Sequence, residues 1–138
     1  MSARSFFDTN VLVYADDRAT PSKQRRAIEL VAEHRRARTP VLSQQVLQEY
    51  FVTVTRKLQV EAPSARRKVE LLAEFDVVSP DVSDNLAAID LHRIHGIKFW
   101  DALIVRSAKQ AGCNVLLSED MQGHREIDGI RIVNPFQS

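Results

Sequence analysis

Four acidic side chains occupy positions from which carboxylates could act together: Asp8, Glu49, Asp101 and Asp120. Carboxylates brought together repel by about 4 kcal/mol per pair at about 4 Å and an effective dielectric constant of about 20, so they need a cation or shared protons. Oxygen ligands without a nearby His or Cys favour Mg²⁺ or Mn²⁺ over Zn²⁺. Such an ion lowers the pKa of a bound water and neutralises charge on phosphate, so the chemistry indicated is hydrolysis of a phosphate ester.

Each acid also has an ordinary structural explanation. Asp8 and Asp120 could be turn residues or helix caps after a strand. Asp101 could complement the dipole of a helix whose first turn it occupies, and Glu49 could be a surface residue near Arg56. Asp101 is the hardest to explain in this way, because it shares a helix face with apolar residues and its charge must be compensated.

The acids are placed by an alternation of short apolar segments and helical ones, which is typical of a parallel sheet covered by helices. Strands are predicted at 6–7, 40–42, 75–78, 115–117 and 130–133. Helices are predicted at 10–15, 20–38, 43–58, 63–74, 80–96 and 99–111, with Thr20 and Ser43 as N-caps. We therefore expect an α/β fold, a single three-layer α/β/α domain over residues 1–138 with a central, mainly parallel sheet of about five strands.

This arrangement indicates where the acids could meet. Asp8 follows the first predicted strand and Asp120 the fourth, and the carboxyl ends of parallel strands lie at the same edge of the sheet, where ligands bind in such folds. Glu49 lies at the border of the apolar stripe of its helix, from which it could reach that edge.

The acids lie within four segments: Phe7-Asp8-Thr9-Asn10-Val11-Leu12-Val13-Tyr14, Glu49 within its helix, Phe99-Trp100-Asp101-Ala102-Leu103-Ile104, and Leu116-Leu117-Ser118-Glu119-Asp120. In this order and spacing they resemble the motifs of PIN-domain ribonucleases, and more closely those of the VapC toxins of type II toxin–antitoxin systems. The resemblance spans residues 7–136. It implies a PIN-like fold, an Mg²⁺- or Mn²⁺-dependent endoribonuclease activity, a homodimer and inhibition by a cognate antitoxin protein.

The resemblance also assigns the acids. Asp8, Glu49 and Asp101 match the three acids with which the family holds metal, and Asp120 matches the fourth. Glu119 is adjacent, and whether it or Asp120 faces the metal is a question of register; Asp120 is favoured.

Two polar residues match supporting positions of the same family. Asn10 matches a residue that supports the first acid, and Ser118 matches the Ser or Thr that orients the site. The implied mechanism is in-line attack of a metal-activated water on a backbone phosphate of RNA. It leaves a 5′-phosphate and a 3′-hydroxyl.

Composition restricts the function further. The 138 residues leave room for one domain, and a net charge of +1 means that nucleic-acid contact must rest on local patches. The single cysteine, Cys113, cannot form an intrachain disulfide and is expected to be a small buried hydrophobe in a reducing compartment. No apolar run has the length of a signal peptide or a membrane span, so we expect a cytoplasmic protein without membrane contact.

Basic residues cluster at 25–26, 35–38, 56–57 and 66–68, where they could contact RNA phosphates or be solvated helix faces. Without interleaved aromatic residues, readout of a structured RNA by shape and backbone is favoured over base stacking. Exposed apolar residues on the early helices could form an antitoxin groove or a dimer face. The four histidines, His34, His92, His95 and His124, lack metal-ligand spacing and are interpreted as structural or surface residues. Trp100 is expected in the core.

Other classes fit less well. A phosphotransferase with Asp8 as nucleophile would need a second Asp where Asn10 stands, and a receiver-like domain would need an Asp at the end of the third strand, where the sequence is Val77-Val78-Ser79-Pro80. The alternative from a different class is a non-catalytic RNA- or protein-binding module on the same fold. Metal-dependent cleavage would exclude it.

Overall fold

A computed structural model describes residues 3–121 and 125–137, in which strands and helices alternate along the chain. The strands are β1 (Ser5–Phe7), β2 (Pro40–Ser43), β3 (Asp76–Val78), β4 (Val115–Leu117), β5 (Glu126–Ile127) and β6 (Ile130–Val133). The helices are α1 (Thr9–Tyr14), α2 (Pro21–Ala37), α3 (Gln44–Arg56), α4 (Ala62–Leu72), α5 (Val82–His95) and α6 (Phe99–Gln110). Every predicted element is present, with bounds shifted by a residue or two.

The strands form one sheet in the order β3-β2-β1-β4-β6-β5, flanked by helices. All pairs are parallel except β5 with β6, which are antiparallel. The predicted α/β class with a mainly parallel sheet is confirmed. The sheet has six strands against the expected number of about five, because the two-residue β5 pairs with β6 through a tight turn at Asp128-Gly129, where φ is 53° and 82°.

The ends of the helices explain where the chain turns back to the sheet. Ser43 is the N-cap of α3, as predicted, and its hydroxyl accepts a hydrogen bond from the Val46 amide at 3.4 Å. Thr20 precedes α2, but its side chain makes no capping hydrogen bond, so Pro21 supplies the start through its fixed φ. Gly96 ends α5 with φ of 67°, a conformation that costs glycine little.

The buried apolar side chains form one cluster between the sheet and the helices. Cys113 belongs to it and is 3% exposed, as predicted. His34 is half-buried beside Thr39, with 2.7 Å between its Nδ1 and the Thr39 hydroxyl, which fits a structural residue. The expectation that Trp100 is in the core is wrong, because its side chain is 62% exposed at the first turn of α6. His124 lies outside the described residues.

Among the described helices, none has both the length and the apolar character that a bilayer crossing requires.

Candidate active site

The centre of the site lies where the adjacent parallel strands β1 and β4 end. Phe7 is in register with Leu117, so the residues that follow them, Asp8 and Ser118, lie side by side. The Ser118 hydroxyl donates to Asp8 Oδ2 at 2.7 Å, and the Thr9 amide donates to Asp8 Oδ1 at 2.8 Å. Asp8 is only 7% exposed. The rule for parallel strand ends predicted that Asp8 and Asp120 would lie at this edge of the sheet, and Asp8 lies there beside Ser118.

Asn10 joins the two halves of the site. Its Nδ2 lies 3.3 Å from Asp8 Oδ2, 3.3 Å from the Ser118 hydroxyl and 3.2 Å from Asp120 Oδ2. Its Oδ1 accepts the Glu119 amide at 3.1 Å. The Asn10 amide group thus lies between two carboxylates and holds the loop after β4.

The other two acids line the same cavity, which has a volume of about 740 Å³ and is here called the acid pocket. Glu49 reaches it from α3, and its Oε1 accepts the Thr9 hydroxyl at 3.0 Å. Asp101 reaches it half-buried from the first turn of α6. The structure therefore brings all four predicted acids to one cavity. Its lining residues are Asp8, Thr9, Asn10, Val13, Tyr14, Asp17, Gln45, Gln48, Glu49, Val52, Thr53, Lys57, Leu58, Asp101, Ile104, Glu119 and Asp120.

The electrostatics of the pocket are dominated by buried carboxylates close to one another. Burial raises the pKa of Asp8 to about 6, with hydrogen bonds from Ser118 and Thr9 opposing the shift and the charges of Glu49 and Asp101 adding to it. Burial also raises the pKa of Asp101, and the charge of Asp120 adds to that shift. Both groups would be stabilised as carboxylates by a bound cation.

Glu119 points to a different set of partners. Its carboxylate accepts the Tyr14 hydroxyl at 2.6 Å and the Lys23 ammonium at 2.6 Å. Burial alone would raise the pKa of Glu119, but these two partners outweigh it and lower the pKa. Asp120, by contrast, is hydrogen-bonded to Asn10. This geometry favours Asp120 as the fourth acid.

Sequence reasoning missed Tyr14 and Lys23. Tyr14 lies one helical turn after Asn10 on α1, a spacing that places both on the side facing the loop after β4. The Lys23 ammonium also lies 4.8 Å from the centre of the Tyr14 ring, which adds a cation–π contact. No pattern in the sequence marks Lys23.

The donor set fits a hard divalent cation. Six acidic side chains line one cavity, among them the four predicted acids. Gln45 also lines it and has a buried Oε1 without a hydrogen-bond partner in the described part of the chain. Within residues 3–121 and 125–137, however, no three Asp, Glu, His or Cys side chains are already positioned around one point as a metal site.

A second cavity of about 770 Å³, here called the apolar groove, lies between α3 and α4. Its walls are mostly hydrocarbon and include Leu47, Phe51 and Val69. Gln48 and Val52 line both the apolar groove and the acid pocket, so the two cavities share a wall of α3. A molecule bound in the groove would therefore lie against the acid pocket.

Comparison with known proteins places this geometry in a family. The family model described as PIN domain matches residues 5–130. No curated protein sequence matches the chain.

Several solved structures share the fold. A toxin–antitoxin complex from Klebsiella pneumoniae contains a chain with 19% identity and a TM-score of 0.70, over 95% of this chain and 97% of that one. VapC20 from Mycobacterium tuberculosis, described as a sarcin–ricin loop cleaving toxin, has 19% identity and a TM-score of 0.71, over 86% of this chain and 91% of that one. DNA-bound VapBC from Salmonella typhimurium contains a chain with 17% identity and a TM-score of 0.69, over 95% of this chain and 97% of that one. These structural neighbours confirm the predicted resemblance in fold to VapC toxins. With the family model covering nearly all of the sequence, this chain belongs to the PIN domain family.

Proposed function

We propose that this protein is an Mg²⁺- or Mn²⁺-dependent endoribonuclease and the toxin of a toxin–antitoxin pair. The observation that carries the proposal is the convergence of Asp8, Glu49, Asp101 and Asp120 on the acid pocket, with Asp8 buried and its pKa raised. Retaining a buried carboxylate next to other carboxylates is costly, and a catalytic cation is the ordinary reason for such an arrangement.

In this proposal the four acids hold the cation. A divalent ion bound there would polarise a phosphoryl oxygen and neutralise the charge that develops on the phosphate during hydrolysis. The remaining groups position the acids. Asn10 and Ser118 fix the Asp8 carboxylate through hydrogen bonds of 3.3 and 2.7 Å, and Thr9 holds Glu49.

The experiment that tests this function is cleavage of total structured cellular RNA by the purified protein. Reactions contain Mn²⁺ or Mg²⁺, or EDTA as the metal-free control. Asp8→Asn is compared with Asp90→Asn, since Asp90 is exposed on α5. We expect discrete RNA fragments from wild type and Asp90→Asn with metal, and none from Asp8→Asn or with EDTA. Intact RNA in all lanes, with metal bound, would favour the non-catalytic binding module instead.

The apolar groove supports the antitoxin part of the proposal. The structural neighbours include toxin–antitoxin complexes, and the groove shares Gln48 and Val52 with the acid pocket. An amphipathic segment of an antitoxin seated there would bury the partly exposed Phe51 and cover the entrance to the acids.

The test of this part uses a candidate antitoxin encoded next to the gene of this protein. The product of a neighbouring small open reading frame is co-expressed and co-purified with wild type, Phe51→Glu and Ile94→Glu. Ile94 is the control because it is 74% exposed on α5, away from the groove. We expect only Phe51→Glu to lose the partner, and we expect added partner to inhibit RNA cleavage by wild type. Equal co-purification of all three proteins would place the interface elsewhere.

A further inference from the structure

Besides the acid pocket and the apolar groove, a cavity of about 200 Å³, here called the smaller cavity, adjoins the acid pocket. Asp101 and Asp120 line both the smaller cavity and the acid pocket. These two acids are therefore the boundary between the cavities. Each cavity also contains a basic side chain: Lys57 in the acid pocket, and Lys98 together with Arg125 in the smaller cavity. Asp101 and Asp120 thus lie between a cavity with one lysine and a cavity with a lysine and an arginine.

Lys57 is placed by α3. It directly follows the helix, eight residues after Glu49, which corresponds to a rise of about 12 Å and a rotation of only about 80°. Thr53 lies between them on the same side. Of the described residues that line the acid pocket, Lys57 is the only Lys or Arg. Within the described part of the chain, no carboxylate forms a salt bridge with it.

Lys98 is placed by α6, where it is the N-cap residue and precedes Asp101 by three positions. Lys98 and Asp101 both line the smaller cavity. Arg125 shares the smaller cavity and donates a hydrogen bond to the His95 carbonyl at 3.3 Å. The described carboxylates form no salt bridge with either base.

We propose that Lys57 and Lys98 bind phosphates on opposite sides of the cleaved bond, along an RNA strand that crosses Asp101 and Asp120. This rests on the proposed function. Lys57 lines only the acid pocket and Lys98 only the smaller cavity, and Asp101 and Asp120 lie between the two, so the two lysines contact different phosphodiesters. A polyanion laid over carboxylates is repelled, and basic groups on both sides offset that repulsion.

The proposal defines a substrate class. The strand must continue past the cleaved bond in both directions to reach both lysines. A mononucleotide or a terminal phosphate satisfies only one of them. The protein therefore selects internal phosphodiester bonds by the spacing of its cationic groups on either side of the acids.

Binding in the absence of cleavage tests the two lysines. The probe is a fluorescein-labelled oligouridylate of about 12 nucleotides, a length within the range covered by single-strand sites. Its Kd is measured by anisotropy in EDTA over about 20–200 mM KCl for wild type, Lys57→Gln, Lys98→Gln and the double variant. Arg36→Gln is the matched control, because Arg36 is an exposed base on α2 that lines neither cavity. Circular dichroism establishes that each variant is folded.

Each lost phosphate contact should make the slope of log K against log salt shallower by about 0.7, so the double variant should lose about 1.4. Binding should weaken for both single variants and stay at the wild-type level for Arg36→Gln. If the slopes are unchanged in the lysine variants while wild type cleaves RNA in Mn²⁺, the proposal that the two lysines bind phosphates is refuted. The proposed nuclease function would still stand. If wild type neither binds the probe nor cleaves RNA, the subsites and the proposed function fall together.

Discussion

Replacing Asp8 by Asn should stabilise the protein at neutral pH in cation-free buffer, and the gain should disappear in acid. Asp8 is 7% exposed, and burial is the main cause that raises its pKa from 3.8 to about 6. The folded state therefore binds this proton more tightly than the unfolded chain does. As a result, the free energy of unfolding falls as the pH rises from about 4 to about 6, and this contribution is constant above that range.

The magnitude follows from the two pKa values. A separation of about two units, at about 1.36 kcal/mol per unit, means that ionised Asp8 costs the folded state about 3 kcal/mol at neutral pH. About 1 kcal/mol of this is present at about pH 4.5, so about 2 kcal/mol develops between there and about pH 7.5. Asn cannot accept hydrogen bonds at both positions where Ser118 and Thr9 donate, which costs about 1 kcal/mol. We expect the variant to equal wild type at about pH 4.5 and to be about 2 kcal/mol more stable at about pH 7.5.

Urea unfolding in EDTA, followed by circular dichroism across this pH range, measures the effect. The difference between wild type and variant cancels the titration of other groups, and Asp90→Asn controls for the loss of an exposed charge on α5. Added Mg²⁺ should then stabilise wild type more than Asp8→Asn. A wild-type-minus-variant difference that stays constant with pH would refute the reasoning, because Asp8 would then ionise as an ordinary surface carboxyl.

Three further outcomes are expected. Glu119→Gln should retain RNA cleavage and Asp120→Asn should lose it, because the Glu119 carboxylate is already bound to Tyr14 and Lys23. Equal loss of cleavage in the two variants would contradict that assignment. Ser118→Ala should raise the pKa of Asp8 further, because the Ser118 hydroxyl lowers that pKa through its hydrogen bond and the variant lacks it. Carbon NMR titration in EDTA measures the pKa, and an unchanged value would mean that this hydrogen bond contributes little. Leu86→Glu should turn the expected homodimer into a monomer in light scattering, because Leu86 is 58% exposed in an apolar stripe on α5; a surviving dimer would place its interface elsewhere.

The parts of the molecule governed by periodicity were predictable from the sequence. Apolar runs next to polar turns located β1 and β4, and the parallel arrangement then placed the carboxyl ends of both strands, with Asp8 after β1, at one edge of the sheet. The same rule brought Asp120 to that edge. Glu49 followed from its place beside an apolar helical stripe, because such a border position faces a neighbouring cavity.

Other features left too little local signal. β5 has two residues, too few to show an alternating pattern, although Asp128-Gly129 after it is a common hairpin turn. Trp100 was expected in the core from its apolar neighbours, but side chains lean toward the N-terminus of a helix, so a first-turn residue projects past the packed layers. The contacts of Lys23 and Tyr14 with Glu119 join residues 96 and 105 positions apart, and polar contacts at such separations follow no periodic pattern.

The bond between Asn10 and Asp120 joins residues 110 positions apart, and this separation has a consequence for synthesis. Asp8 and Glu49 precede β3 and the other two acids follow it, so neither half of the chain carries the acid cluster alone. Under the proposed function, a nascent chain on the ribosome is inert until β4 has emerged and paired with β1. The loop at 79–81 also lies between the first two acids and the last two, so a protein split there gives two fragments that are each inactive. Nuclease activity of the mixed fragments would then report that they have reassociated.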